Sequence, residues 1–416
     1  MKVIIVGAGI GGLTTALFLH QRGIVCQIYE QASQVREVGV GINTLPPAIR
    51  ELETLGLLPA LDATGIRTRE LIYLNRLGQE VWREPRGLDA GHPVPQFSIH
   101  RGRLQKLIHD AAIDRLGADA IRTGLSLAGF IQDDNGVTAH FTDAVRGGAG
   151  LTVRGDILVC ADGIHSAGRK SFYSNEGPPC WNGVMMWRGA TDWPVWLDGR
   201  TMAIGGGMGA KFVLYPIARE SDGRQLTNWV VNVKVADGAK SPPPKESWSR
   251  AAHRTDYLPY ARRFTIPGFD VEGLVAATAQ AFEYPMCDRD PLPRWTFGRV
   301  TLLGDAAHPM YPVGSNGASQ AIFDARALAD ALARAEHPCQ ALWQYEADRL
   351  AKTAEIVRLN RVGGPERVID EVEKRAPAGF DDIEKVLSHA ERQAIVGGYA
   401  GKAGFATPQK RARAKA

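Results

Sequence analysis

Residues 2–20 read KVIIVGAGIGGLTTALFLH, and they hold the strongest structural signal in the chain. The first five residues form a short β-branched run, which is typical of a strand buried on both faces of a parallel sheet. A glycine turn with the pattern G-x-G-x-x-G follows, and apolar residues then recur at helical spacing until Gly23. Residues 24–29 favour a second strand, so the segment is predicted to be a βαβ unit.

Each glycine of this fingerprint has a physical role in holding a dinucleotide. Gly7 permits the tight turn, Gly9 lets the backbone approach a pyrophosphate, and Gly12 lets helix and strand pack closely. The phosphates are expected against N–H groups at the positive N-terminal end of the helix. Glu30 follows Gly12 by 18 residues, and its carboxylate suits the adenosine ribose hydroxyls. This pattern alone does not separate FAD from NAD.

Composition excludes several other classes of protein. The 416 residues include 49 basic and 45 acidic side chains, a balance too even for a nucleic-acid binder. Basic residues cluster only in the tail, at Lys410, Arg411, Arg413 and Lys415, where we expect either a solvated segment or a partner contact.

The cysteines and the apolar runs bear on the compartment. Five scattered cysteines without a CxxC pair indicate neither a disulfide framework nor a zinc site, and they favour a reducing cytoplasm. The uncharged run from Val3 to Leu19 contains four glycines, which argues against a signal peptide. No stretch has the roughly 20 continuous apolar residues of a membrane span.

Three further segments carry motifs. Residues 100–104 (HRGRL) are predicted to open a helix. Residues 156–169 (DILVCADGIHSAGR) form a strand that runs into an Asp-Gly turn. Residues 302–318 (LLGDAAHPMYPVGSNGA) form a strand with a Gly-Asp turn, and a long amphipathic helix follows.

Together with the fingerprint, these motifs resemble the class A FAD-dependent aromatic monooxygenases, which have the para-hydroxybenzoate hydroxylase fold. The resemblance covers residues 1–361, and the order of the three motifs is highly specific. Residues 186–189, 284–293 and 314–320 are most similar to the phenazine hydroxylases of the 5-methylphenazine-1-carboxylate 1-monooxygenase type. The chain departs from many relatives at Gly168, where they have Val, and at residues 349–351, where they often have Arg-Arg-Pro.

The resemblance implies an α/β fold whose Rossmann-like FAD-binding domain is discontinuous in sequence. We expect this domain in residues 1–75, 98–180 and 285–360. From Gly183 to Val235 the pattern is of strands without intervening helices, so residues 76–97 and 181–284 are predicted to form an inserted, mostly antiparallel β-sheet domain over the substrate. Residues 361–416 would be a C-terminal helical segment with the basic tail.

The resemblance also implies a role for each motif in holding FAD. Asp305 would bind a ribityl hydroxyl, Arg101 would contact the cofactor from the other side, and the N–H groups of Gly317 and Ala318 would face the flavin N1–C2=O edge. Asp162 and its glycine would shape the turn beside the pyrophosphate. The loop Gly39-Val-Gly-Ile42 would lie near the isoalloxazine. The cofactor-binding set is therefore Gly7, Gly9, Gly12, Leu13, Glu30, Gly41, Ile42, Arg101, Leu125, Asp162, Asp305, Gly317 and Ala318.

In such enzymes the cofactor carries the chemistry. NADH or NADPH would reduce FAD, O2 would form the flavin C4a-hydroperoxide, and an electron-rich planar ring would be hydroxylated, with or without decarboxylation. No second fingerprint is present, so nicotinamide binding is expected to be transient. No metal site and no certain catalytic side chain is indicated.

The substrate pocket is expected between the inserted sheet and the flavin. Its candidates are Trp187, Arg188, Tyr215, Trp229, Tyr284 and Pro312. Each aromatic residue has core packing as its alternative. Arg188 either pairs with a substrate carboxylate or forms a structural salt bridge. His308 is either a proton shuttle or a residue that stabilises its turn.

Three alternative functions stay open on the sequence alone. They are a salicylate-, 3-hydroxybenzoate- or quinolone-type hydroxylase, a flavin oxidase or dehydrogenase without oxygen insertion, and a redox-sensing flavin module without turnover. For the monooxygenase we expect a small aromatic substrate as partner, with no nucleic acid and no membrane span, and a monomer or a homodimer.

Overall fold

The computed structural model describes residues 1–34, 40–220, 222–237 and 250–406. Two predictions fall outside the described residues: the position of Gly39 beside the flavin and the behaviour of the basic tail.

Nineteen strands are present in the described part of the chain. They are β1 (Lys2–Val6), β2 (Val25–Tyr29), β3 (Gly41–Thr44), β4 (Ile66–Thr68), β5 (Glu70–Leu74), β6 (Glu80–Pro85), β7 (Gln96–His100), β8 (Ile121–Arg122), β9 (Leu125–Asp133), β10 (Gly136–Asp143), β11 (Ala149–Gly155), β12 (Ile157–Cys160), β13 (Cys180–Trp193), β14 (Thr201–Gly205), β15 (Ala210–Arg219), β16 (Gln225–Lys234), β17 (Ala281–Asp288), β18 (Thr296–Phe297) and β19 (Val300–Leu302).

Twelve α-helices accompany them over the same described ranges. They are α1 (Ile10–Gln21), α2 (Pro46–Thr54), α3 (Leu58–Thr64), α4 (Arg101–Leu116), α5 (Ala167–Phe172), α6 (Arg254–Ala261), α7 (Val271–Ala277), α8 (Gly317–Arg334), α9 (Pro338–Arg361), α10 (Arg367–Arg375), α11 (Ile383–Val386) and α12 (His389–Ala403).

A six-stranded sheet brings the predicted motifs to one edge. Its strand order is β18-β19-β12-β1-β2-β8, and only the β18–β19 pair is antiparallel. Because the carboxyl ends of parallel strands meet at the same edge, the residues that follow β19, β12, β1 and β2 lie side by side. These residues are the Gly-Asp turn, the Asp-Gly turn, the glycine fingerprint and Glu30. The predicted Rossmann-like α/β fold is confirmed.

A seven-stranded, mostly antiparallel sheet stands beside it, with the order β17-β13-β16-β15-β14-β5-β6. Only β14 and β5 pair in parallel. Strand β5 belongs to this sheet although it precedes the predicted boundary at residue 75, and β17 runs past the predicted boundary at 284. The predicted boundary at residue 75 therefore falls directly after β5, and the one at 284 falls inside β17. Strand pairing decides where the sheet ends, and the paired strands are distant in sequence.

Each face of the seven-stranded sheet is covered by different helices. One face packs its apolar side chains against α6 and α7. At the β5, β6 and β14 end, the opposite face packs against α10 and α12. Alternation along the strands assigns neighbouring residues to opposite faces; Ile72 belongs to the first cluster, whereas Leu71 and Tyr73 belong to the second.

The described ranges lack two kinds of feature. Within them, no helix has both the length and the apolar character needed to cross a membrane. The same ranges hold no group of three or more His, Cys, Asp or Glu side chains arranged to bind a metal ion.

Candidate active site

The glycine fingerprint is close-packed at Gly7 and Gly12 and open at Gly9. A Cβ on Gly12 would overlap the Gly7 carbonyl oxygen, and a Cβ on Gly7, where φ is +101°, would lie 2.5 Å from the Ala161 oxygen. A Cβ on Gly9 would meet nothing within 4 Å. The two crowded glycines thus fix the turn, and the third leaves space in front of α1 for a bound group.

Helices α1 and α8 begin in the same way. Neither N-cap residue, Gly9 or Asn316, makes a side-chain capping bond within the described structure. A Cβ on Gly317, the first residue of α8, would also meet nothing within 4 Å. Two uncapped helix starts with open space in front of them suit a ligand that brings its own oxygen atoms, as a pyrophosphate and a flavin carbonyl do.

Glu30 closes the fingerprint from the second strand. Its Oε2 accepts from the Ala8 N–H at 2.7 Å, and its Oε1 accepts from the Ala32 N–H at 2.8 Å. Each carboxylate oxygen retains a further acceptor site for a ribose hydroxyl. Leu125 lies beside this residue, because its N–H donates to the Glu30 carbonyl at 2.8 Å.

Leu13 contributes to the site differently from its neighbours. Its side chain is fully buried in the core, and its N–H donates to the Gly9 carbonyl at 3.0 Å. The backbone proton of Leu13 is therefore already used inside α1. Ala318, the second residue of α8, is half-buried in the first turn of that helix.

Asp162 turns the chain beside the fingerprint. Its Oδ2 accepts from the Ala167 N–H at 2.7 Å, whereas its buried Oδ1 has no hydrogen-bond partner among the described residues. Burial raises the pKa of this carboxyl, and hydrogen bonds from Ser166 and the backbone oppose the rise. A buried oxygen without a partner is expected to be satisfied by a ligand or by water.

Arg169 ties the Asp-Gly turn to the Gly-Asp turn. The side chain is 1% exposed, forms an ion pair with Glu176, and donates to the Ala306 and Ala307 carbonyls at 3.2 and 2.9 Å. A Cβ on Gly168 would collide with Cys160, so this chain cannot place the valine of many relatives here without moving that cysteine.

Asp305 lies on the 3-10 turn that follows β19. Its side chain is exposed, yet the surrounding protein raises the pKa of its carboxyl, with His308 and Arg101 opposing the rise. A side chain in a deep cleft is open to solvent but largely surrounded by protein, and it is therefore expected to combine exposure with a raised pKa. Burial likewise lowers the pKa of Arg101 on the other wall, and Asp305 opposes that shift.

A buried charge cluster fixes the Asp305 turn from behind. Asp324 of α8 accepts from His308 Nε2 at 2.5 Å, from Arg349 Nε at 2.8 Å and from the Gly304 N–H at 3.1 Å. Burial would raise the pKa of Asp324, but His308 and Arg349 outweigh it and hold the value at about 2. These contacts favour the turn-stabilising interpretation of His308.

The seven-stranded sheet meets strand β3 at Gly41. The Gly41 N–H donates to Asn228 Oδ1 at 2.7 Å, and its carbonyl accepts from Arg188 Nη2 at 2.8 Å. Arg188 also contacts the Tyr284 hydroxyl, and a Cβ on Gly41 would lie 2.5 Å from Tyr215 Cε2. The structure thus brings three of the predicted pocket residues, Arg188, Tyr215 and Tyr284, together at Gly41.

Two atoms of this cluster are buried without a hydrogen-bond partner in the described structure: Arg188 Nε and Asn228 Nδ2. Both are donors. Burial raises the pKa of Tyr215 to about 12, with Arg188 opposing the rise, so its hydroxyl keeps its proton at neutral pH. The two unpartnered donors suit an acidic or carbonyl-bearing ligand.

The prediction that Trp187 and Trp229 line the pocket is wrong in the structure. They precede Arg188 and follow Asn228, respectively, so they point to the opposite face. Trp187 stacks on Tyr260 at 5.7 Å between ring centroids, and Trp229 Nε1 donates to Thr278 Oγ1 at 2.8 Å. Both side chains are core residues under α6 and α7.

Two further predicted residues lie in the loop before α8 and in β3. Pro312 is exposed in the loop before α8, between the buried residues Tyr311 and Val313. Ile42 is half-buried in β3, opposite Ile99.

Comparison with known proteins agrees with this geometry. Residues 1–360 match the family model of the FAD binding domain (FAD_binding_3). The chain belongs to this family. The chain is 46% identical over 363 residues to the phenazine 1,6-dicarboxylic acid hydroxylase PhzS of Lysobacter antibioticus, covering 86% of this chain and 89% of that protein. It is 32% identical to a 3-amino-4-hydroxybenzoate 2-monooxygenase of Streptomyces cremeus, over 87% and 86% of the two chains.

Solved structures show the same architecture. The Klebsiella pneumoniae HpxO complex with FAD and uric acid superimposes with a TM-score of 0.75 at 25% identity, over 97% of this chain and 96% of that one. The family member described here is an FAD-dependent monooxygenase of the aromatic-hydroxylase class, with NAD(P)H and O2 as co-substrates. The open helix starts and the partnerless Asp162 oxygen fit FAD.

Several residues of the site were missed by reasoning from sequence. Asn228 carries no motif, although its position next to a core tryptophan in a strand was a usable signal. Gln105, which donates to the Ala8 carbonyl at 2.7 Å, lies at helical spacing from Arg101 on α4. Asp324 and Arg349 have no local signal, because their partners are distant in the chain.

Proposed function

We propose that this monooxygenase hydroxylates a planar N-heteroaromatic carboxylate of the phenazine-carboxylate class. The main support is the cluster of donors at Gly41, in which Arg188 Nε and Asn228 Nδ2 are buried without a hydrogen-bond partner among the described residues. The 46% identity to a phenazine dicarboxylic acid hydroxylase supports the same ring system and the same acidic group.

Arg188 is the proposed anchor of the substrate carboxylate. Its guanidinium is permanently charged, and a carboxylate accepts two parallel hydrogen bonds from such a group. One of its Nη atoms is held by the Gly41 carbonyl and another contacts Tyr284, so the group is fixed before substrate arrives. A fixed guanidinium loses little side-chain entropy on binding.

The remaining pocket residues are proposed to orient the ring. The Tyr215 hydroxyl, protonated at neutral pH, and the Tyr284 hydroxyl would flank a flat substrate, and Pro312 would close the pocket at the α8 side. Gly41 gives this arrangement its space, because any side chain there would enter the tyrosine ring.

For the cofactor, the proposed roles follow the motif positions. Gly7, Gly9 and Gly12 with Glu30 would hold the adenosine pyrophosphate half, and Leu125 would lie beside the ribose. Asp162, Asp305 and Arg101 would hold the centre of the molecule. Gly317 and Ala318 would face the flavin edge, with Gly41 and Ile42 opposite. Bound FAD supplies the redox chemistry of oxygen insertion, while these side chains position it and keep water out.

Decarboxylation is proposed for substrates whose carboxylate carbon is the site of attack. Such a reaction converts ArCOO⁻, NAD(P)H, O2 and two protons into ArOH, CO2, NAD(P)⁺ and water. Attack at an unsubstituted carbon instead leaves the carboxylate in the product and consumes one proton. Measurement of CO2 separates the two outcomes.

The test is a substrate panel scored by product. Holoenzyme with NADH is given phenazine-1-carboxylate, 5-methylphenazine-1-carboxylate, unsubstituted phenazine, salicylate and 3-hydroxybenzoate. We expect a hydroxylated ring in near-stoichiometric yield only with the phenazine carboxylates. NADH consumption that yields only hydrogen peroxide with both of them, or efficient hydroxylation of 3-hydroxybenzoate alone, would contradict the proposal.

We also propose a cytoplasmic location and a monomeric or homodimeric state. All five cysteines are free among the described residues, and Cys26 and Cys160 are buried, which suits a reducing compartment. Light scattering on the purified holoenzyme tests the assembly: a mass above that of two chains would contradict it.

A further inference from the structure

We propose that Tyr399, on the C-terminal helix α12, is a positioning residue for the flavin-facing start of α8. The residue lies outside the part of the chain that matches the family model, which ends at residue 360. The inference rests on the proposed role of Gly317 and Ala318 at the flavin edge, and its test is designed to separate the two.

The Tyr399 hydroxyl is the centre of a buried hydrogen-bond network. It accepts from Asn316 Nδ2 at 2.8 Å, donates to Asn360 Oδ1 at 2.7 Å, and lies 3.2 Å from the Val313 carbonyl. Asn360 Nδ2 in turn donates to the Tyr311 carbonyl at 2.9 Å. One phenol therefore joins α9 and α12 to both ends of the loop over residues 311–316.

The ring of Tyr399 occupies a space that two glycines make for it. A Cβ on Gly314 would lie 2.5 Å from the Tyr399 Cε1 atom, and a Cβ on Gly364 would lie 3.1 Å from its Cε2. Both glycines have positive φ, +66° and +50°. The loop and the α9–α10 connection are thus shaped around this one side chain.

The loop that Tyr399 holds is strained. Ser315, immediately before the N-cap Asn316, has a φ of +58°, one of two positive values at non-glycine residues in the described structure. Such a conformation costs on the order of 1 kcal/mol or more and persists only when its surroundings fix it. Tyr399 supplies a fixed point one residue away, through Asn316.

The network continues from the loop to the Asp305 turn. Gln320 Nε2 donates to Asn316 Oδ1 at 3.3 Å, and Gln320 Oε1 accepts from Arg349 Nη2 at 2.6 Å. Arg349 binds Asp324, which holds the Gly304 N–H. Tyr399 thereby stands at one end of a buried chain of contacts that reaches both elements proposed to face the cofactor.

The test compares Tyr399→Phe with two other variants of the holoenzyme. Removal of the hydroxyl takes away the nearer of the two acceptors of the buried Asn316 Nδ2, the other being the Gly314 carbonyl at 3.3 Å, so the strained loop is populated less and FAD binds more weakly. We expect the FAD dissociation constant, measured by flavin fluorescence on dilution, to rise about tenfold. The flavin reduction potential should shift in the negative direction, because the helix start stabilises reduced flavin less well.

Tyr257→Phe is the matched control. Tyr257 is also a buried tyrosine, but it packs on Trp229 under α6, on the face away from Gly41. This variant should lower the melting temperature and leave both flavin readouts unchanged. Equal behaviour of the two variants, with a loss of stability and no change in FAD affinity or potential, overturns the inference.

Gly317→Val tests the assumption on which the inference rests. If Gly317→Val weakens FAD binding and Tyr399→Phe does not, the start of α8 faces the flavin but Tyr399 does not position it. If neither variant changes FAD binding, the proposed role of the helix start itself is wrong. Should Tyr399→Phe give no folded protein, Asn360→Ala, which removes the acceptor of the Tyr399 hydroxyl, is judged by the same readouts.

Discussion

The two faces of the seven-stranded sheet are built for different purposes, although neighbouring residues of the same strands supply them. One face carries Trp187 and Trp229, whose indole N–H groups both have partners, under α6 and α7. The other carries Arg188 and Asn228, each with a buried donor atom that has no partner in the described structure.

This difference separates residues that hold the fold from residues that await a ligand. A buried polar atom without a partner costs free energy, so a protein retains it where binding restores the bond. The indole N–H groups of Trp187 and Trp229 already have partners, so they offer no unpaired donor to a ligand. At these four positions, satisfaction of hydrogen bonds separates the two tryptophans of the core face from the arginine and asparagine of the pocket face.

The largest expected effect is on the core face. Trp229→Ala removes a fully buried indole and should lower the free energy of unfolding by about 3–5 kcal/mol. Chemical denaturation of the holoenzyme measures it, and the folded fraction should retain wild-type affinity for substrate. If the variant keeps its stability but no longer binds substrate, Trp229 belongs to the pocket and the comparison fails.

The next effect is on the pocket face. Arg188→Gln should raise the dissociation constant of phenazine-1-carboxylate about 100-fold, since a charge-assisted bidentate pair is lost. Perturbation of the flavin absorbance spectrum reports binding. Arg188→Lys should recover only part of the affinity, because an ammonium cannot form the two parallel bonds. Equal losses for unsubstituted phenazine would show that Arg188 supports the fold rather than the carboxylate.

Asp324 extends the comparison to a buried carboxylate, both of whose oxygens accept hydrogen bonds. Its pKa of about 2 lies below the usual 3.8, so ionisation stabilises the fold at pH values above 4, and this contribution is lost as the pH falls towards 2. Asp324→Asn should cost about 2 kcal/mol at pH 7. The gap between wild type and variant should narrow between about pH 4 and pH 2 in urea unfolding; a constant gap would mean that charge plays no part.

The smallest effect concerns a single hydroxyl beside Arg188. Tyr284→Phe leaves the ring in place and removes one contact to the guanidinium, so substrate affinity should fall about fivefold. The same titration measures this change. A loss as large as that of Arg188→Gln would indicate that the tyrosine, not the arginine, is the principal anchor.

Local sequence was sufficient to predict the motifs of the six-stranded sheet. The fingerprint, the Asp-Gly turn and the Gly-Asp turn were each placed correctly after a strand, because glycine requirements and strand ends are local properties. The phase of the inserted sheet was not predictable in this way. Both residues of the pair Trp187–Arg188 were assigned to the pocket, yet a strand can present only one of them to each face.

Long-range pairs were the other part that the sequence did not reveal. The contacts of Arg349 with Asp324 and of Tyr399 with Asn316 join residues 25 and 83 positions apart. No spacing rule marks such partners, and the tyrosine lies beyond the motifs. The departure from relatives at Leu350 and Ala351 was visible in the sequence, whereas the contact of the neighbouring Arg349 with Asp324 was not.

The most direct measurement is a crystal structure of the holoenzyme with a bound phenazine carboxylate. The account predicts the carboxylate within hydrogen-bond distance of Arg188, and the ring between Tyr215, Tyr284 and the start of α8. A substrate ring in contact with Trp187 or Trp229, or a carboxylate that points away from Arg188 into solvent, would contradict it.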